Sequence, residues 1–111
     1  MVRIEAFIQP HKVSKVVAAL HGLPKFPGFT LLDAHGQGHG RGVGGEYVYE
    51  PSDGLLYHKR VALIVLCDKS DATLIATTIA QSAHTGNKGD GLLSMSEVSH
   101  VTRIRQSGGE A

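Results

Sequence analysis

Twice along this chain a strand pattern hands over to a helix pattern, and that repetition restricts the fold more than any single motif. Val2, Ile4, Ala6 and Ile8 alternate with Arg3, Glu5, Phe7 and Gln9, the period of two of a strand with one buried face. Beyond Pro10, Val13, Val16, Val17 and Leu20 fall at i, i+3, i+4 and i+7, which predicts a helix that starts beside a proline and stops at Gly22. Leu23-Pro24-Lys25-Phe26-Pro27-Gly28 must be irregular, because its prolines lack N–H groups and restrict their neighbours. A second strand is expected over 29–34 and a central one over the β-rich run 59–67. Asp68 or Ser70 then caps a helix whose Leu74, Ile75, Thr78 and Ile79 keep helical spacing to about Ala83. Short strands are predicted at 92–97 and 100–105.

The order βαββαβ is that of an α+β, ferredoxin-like split βαβ sandwich. Two helices cover one face of the sheet. The other face has nothing in the chain to cover it, so self-association is expected.

Composition narrows the function. With 111 residues, 41% of them hydrophobic, the chain makes one domain around a modest core, residues 1–111, with a flexible tail at 107–111. The formal net charge of +1 comes from scattered basic residues, without the clustered footprint of a nucleic-acid binder. Cys67, the single cysteine, ends the apolar run 61–67, where a buried thiol is expected, and one cysteine makes no intrachain disulfide. No apolar run approaches the roughly 18 residues of a membrane span, and no secretory leader is visible, so a cytoplasmic location without membrane insertion is expected. No Ser-His-Asp, paired-carboxylate or Cys-His arrangement suggests catalysis; the expectation is a protein that is not an enzyme.

Every second residue from 36 to 44 is glycine, which offers little to bury against the entropy of ordering it. A mobile loop of about twenty residues is predicted up to the central strand, a length that is usually functional or disordered. Within it Gly40-Arg41-Gly42-Val43-Gly44-Gly45 satisfies G-x-G-x-x-G, but no strand immediately precedes it and it opens no helix, so it is not a dinucleotide fingerprint. His35, His39 and His58 could ligate a divalent metal such as zinc, copper or nickel, with Glu46 in reach. The glycines between His35 and His39 argue against the helix that such a spacing would need, and solvated loop histidines fit the sequence better.

The strongest functional lead is Thr85-Gly86-Asn87-Lys88-Gly89-Asp90-Gly91 followed by Arg103-Ile104-Arg105. Backbone N–H groups at successive glycines form anion-binding concavities, and Lys88 adds a mobile charge. The turn is not a Walker loop, since Leu92-Leu93 stands where Lys-Ser/Thr would be. By itself such a turn is also an ordinary helix C-cap and β-turn. Arginines two apart on a strand lie on one side, roughly 7 Å apart, which suits adjacent phosphates, although charge on an edge strand also discourages aggregation.

From Val2 to Gln106 the chain resembles the PII signal-transduction superfamily. The residues that carry the resemblance are Ile4-Glu5-Ala6-Phe7-Ile8 with Pro10-His11-Lys12, Gly28-Phe29-Thr30, Gly36-Gln37-Gly38, the glycine turn 85–91, and Val101-Thr102-Arg103-Ile104-Arg105. It implies a homotrimer with adenine nucleotides as effectors, no obligatory cofactor, and three intersubunit clefts. In each cleft Gly28, Phe29, Thr30, Gly36, Gln37, Gly38 and Val65 would border the adenosine or the loop base. The turn residues Thr85, Gly86, Lys88, Gly89, Asp90 and Gly91 would hold phosphate from the same cleft, with Arg103 and Arg105 acting from the neighbouring subunit. The segment 37–57 would be the T-loop, which docks onto a transporter or enzyme.

Two departures from the family pattern shape the expectation. Leu92 replaces a lysine that reaches the terminal phosphate, and Gly40 replaces the glutamine that helps bind magnesium and 2-oxoglutarate, while Lys59 keeps its basic partner. ADP or AMP is therefore expected to be favoured over ATP. Local similarity places Tyr47 at the family's modified tyrosine, whereas loop length places Ser52 there. The histidine-rich loop and the 23–30 connection lean towards a membrane transporter as the regulated partner, as in the divergent PII-like branches. The alternative from another class is a trimeric metal-binding protein using His35, His39 and His58.

Overall fold

The computed structural model describes residues 1–36 and 58–106. The glycine-rich segment and T-loop expectation, 37–57, and the expected tail, 107–111, lie outside them. Strand β1, Val2–Ile8, buries Val2, Ile4, Ala6 and Ile8 on one side, as its alternation requires. Pro10 sets the first position of a 3-10 turn, Pro10–Lys12, that leads into helix α1, Val13–His21, whose Val16 and Leu20 are buried. Gly22 ends it by returning its N–H to the Ala18 and Ala19 carbonyls. Strands β2, Thr30–Gly36, and β3, His58–Cys67, follow. Helix α2, Lys69–Ala83, and strand β4, Leu92–Glu97, complete the fold.

The strands run in the order β2-β3-β1-β4, every neighbouring pair antiparallel. With both helices on one side this is the ferredoxin-like βαββαβ arrangement. Three small residues on the inner face of α2, Ala72, Ala76 and Ala83, let Ile75 and Ile79 reach Ile4, Leu63 and Val65 in one core. The single buried polar side chain in that region is satisfied: Ser82 Oγ donates to the Thr78 carbonyl at 2.7 Å. Cys67 is buried, and that burial pushes its thiol upward. Asp68 sits at the N-cap of α2 but makes no side-chain cap; its carboxylate faces Lys25 Nζ at 3.5 Å instead. Among the described residues, no helix is long and apolar enough to cross a membrane.

Cross-strand partners share a face, so the register fixes what lies on the uncovered side. Leu32 pairs with Ala62, Thr30 with Ile64 and Leu92 with Phe7, and Leu66 lies on the same side. Leu32, Leu66 and Leu92 are 53%, 42% and 64% exposed on this open face, beside the Arg3–Glu5 ion pair.

One predicted element is absent. Residues 98–103 join no ladder among the described residues, and Ile104–Gln106 is a 3-10 turn closed by Gln106 N–H to the Arg103 carbonyl at 2.9 Å. The alternation of 100–105 is a real strand pattern, but a strand forms only where a neighbour takes up its backbone groups. After Glu97 the chain returns to the start of β1, with Val98 N–H on the Met1 carbonyl at 3.0 Å, and meets no open edge. Arg103 and Arg105 are therefore not presented as neighbours on a strand face.

Candidate anion site at the end of the sheet

Helix α2 stops at Ala83, His84 is extended, and the chain then folds around one side chain. The Asp90 carboxylate accepts the Thr85 N–H at 2.8 Å, the Gly86 N–H at 2.9 Å and the Thr85 hydroxyl, while His84 Nδ1 lies 3.5 Å away. The Thr85 hydroxyl and N–H, with further help from the Gly86 N–H and His84, hold the Asp90 carboxyl down at about 2. Part of the turn's donor capacity is thus already spent on an internal anion. Asp90 shapes the turn.

The far side of the turn is fixed by contacts remote in sequence. The Gly89 carbonyl accepts Gln9 Nε2 at 2.9 Å and an Arg60 guanidinium N–H at 3.1 Å, and Arg60 also donates to the Lys59 carbonyl at 2.7 Å. Gly91 is required outright. Its φ is +102°, and a Cβ there would stand 1.8 Å from the Phe7 carbonyl oxygen. Under the turn lies a cleft of about 190 Å³ between α2, β1 and β4, lined by Ile8, Ile79, Ala83, His84, Asp90 and Leu93 among others.

The register places several of the other site residues along the sheet. The Ile8 end of β1 carries the turn, with Gly36 opposite His58 nearby. Thr30 pairs with Ile64 at mid-sheet, so Gly28 and Phe29 continue towards the opposite end, where Val2 pairs with Cys67. Arg103 lies there too, in a hollow with Met1, Asp68 and Gln106. One chain therefore does not bring Gly28, Phe29 and Thr30 into the same cleft as its own turn. Nor does it bring Arg103 to that turn. Val65, only 1% exposed, points its side chain into the core, so a ligand could border only its main chain. Gln37 and Gly38 lie outside the described residues.

The metal reading finds no support in the same register. His35 pairs with Lys59, and Gly36 with His58, so His35 and His58 occupy opposite faces of the sheet. No cluster of three ligating side chains exists among the described residues, and His39 lies outside them. Sequence reasoning missed Gln9 and Arg60. The only signal was the position of Arg60 on the uncovered face at the start of the central strand.

Fold and site together define a small α+β protein with an ordered glycine turn at one end of an antiparallel sheet. Residues 1–108 match the family model for nitrogen regulatory protein P-II. The chain is 35% identical over 118 residues to the nitrogen regulatory protein P-II of Azospirillum brasilense, covering 100% of this chain and 99% of that one. It is 33% identical to the protein of the same name from Rhizobium meliloti, across 95% of this chain and 92% of the relative. It is also 34% identical to nitrogen regulatory protein P-II 2 of Methanothermobacter thermautotrophicus, across 95% and 90%. The chain belongs to the P-II family of signalling regulators.

Proposed function

We propose that the protein is a PII-like regulator that binds an adenine nucleotide between subunits and controls a partner protein through segment 37–57. The observation that carries this reading is the separation of the two half-sites. The preformed turn sits at one end of the sheet, Thr30 at mid-sheet, and Gly28 and Arg103 towards the other end. Neither half is a nucleotide site alone, and a second copy set end to end supplies the missing one. The exposed Leu32, Leu66 and Leu92 give such copies a reason to associate, and a homotrimer closes the arrangement into a ring with three equal sites. The turn end of one copy then meets the base-and-arginine end of the next.

Leu92 begins β4 at the edge of the turn, exposed, and offers a terminal phosphate no charge. That favours ADP or AMP over ATP. A transporter is the partner we favour, and the protein acts on it by docking, with no chemistry of its own. Titration calorimetry with ADP, AMP and ATP, with and without magnesium and 2-oxoglutarate, tests the reading. ADP or AMP should bind at least as tightly as ATP. Strong synergy between Mg-ATP and 2-oxoglutarate would overturn the ligand preference, and absence of binding by all three nucleotides would overturn the site.

A further inference from the structure

The connection between α1 and β2 holds an aromatic ring partly out at the surface. Phe26 stacks on His21 with ring centroids 4.1 Å apart and planes 9° from parallel. Phe29 meets it at 6.0 Å and 90°, and lies 6.5 Å from His21. Those three separations place Phe29 nearly at right angles to the stacking direction, beside the edge of the Phe26 ring. The second face of Phe26 is covered by neither ring, and the residue is 45% exposed.

The ring is held in place from several sides. Pro24 and Pro27 restrict the backbone around it, and Lys25 Nζ reaches Asp68 at 3.5 Å and Asp71 at 3.3 Å at the start of α2. An exposed phenylalanine whose position is so determined is a platform in search of a flat partner, and two residues further on lies Gly28, at the base end of the proposed cleft. A base has a π-face whatever its identity, and a preset ring binds it at low entropic cost.

We propose that Phe26 is the stacking wall of the base subsite, its outer face against the adenine of a nucleotide whose phosphates rest on the glycine turn of the adjoining copy. The inference rests on the nucleotide reading above and adds to it the residue that selects a base. Backing by His21 keeps the ring from turning away, and Phe29 fixes its edge.

The chain has no tryptophan, so Phe26→Trp installs a single reporter at the proposed contact. ADP should quench its emission and pyrophosphate should not. Phe26→Ala should weaken ADP by about five- to 150-fold, the range that loss of one stacked aromatic spans, and leave pyrophosphate binding unchanged. Unaltered ADP affinity in Phe26→Ala, beside a parent protein that binds ADP, overturns this inference alone. Equal weakening of ADP and pyrophosphate also overturns it, since that marks a structural role. Failure of the parent to bind ADP, AMP or ATP overturns the nucleotide reading, and the wall with it.

Discussion

Asp90 changes the meaning of the glycine turn. A run of glycines with an aspartate among them reads in sequence as a cradle of open N–H groups, yet the aspartate itself takes two of them and a hydroxyl. Its carboxyl is held at about 2, below the roughly 3.9 of an unfolded aspartate, so the charged form favours the folded turn. That contribution is complete above about pH 4 and is lost as pH falls through about 2. Asp90→Asn should therefore be less resistant to urea than the parent at pH 7, and the gap should close across that acid window. A gap independent of pH between 6 and 2.5 would show that the charge does not order the turn. Neither this role nor the clasp of Gln9 and Arg60 on Gly89 could be read from the sequence. The clasping donors stand 80 and 29 residues from their acceptor, and no local pattern encodes such a meeting.

At the scale of elements, β1 and both helices were legible because each carries its own periodicity of buried side chains, and β3 was legible as an apolar, β-rich run. Pro10 and Gly22 bracketed α1 for stereochemical reasons that act within a few residues. The pattern at 100–105 was equally clear and misled, because alternation states a preference for extended backbone while pairing decides whether a strand forms. Ends were less visible still. Only the register, Thr30 with Ile64 and Val2 with Cys67, showed that Gly28 and the turn belong to different ends of the sheet. The central strand carries the core, and Leu63 is fully buried between β1 and the helices. Leu63→Ala should cost about 2–5 kcal/mol, read as a lower urea midpoint at unchanged slope. A loss well under about 1 kcal/mol would mean that the core collapses around the missing side chain.

The whole molecule follows from what one chain leaves unfinished: an apolar sheet face without a cover, an alternating segment without a ladder, and two half-sites at opposite ends. In the proposed homotrimer, association would resolve all three together and give the arginines a function that their own chain does not offer them. Arg103→Ala combined with Arg105→Ala damages one half-site, and Asp90→Asn damages the other. In a homotrimer each variant alone carries three spoiled clefts. Unfolded together and refolded as a mixture, they form rings in which the intact turn of one variant faces the intact arginines of the other. ADP binding should return in the mixture to a fraction of the parent's capacity, with parent-like affinity in the restored clefts. A site completed within a single chain cannot be rescued this way. Calorimetry of the mixture against each variant alone measures the difference, and a mixture that binds no better than its components would place both halves of the site on one subunit.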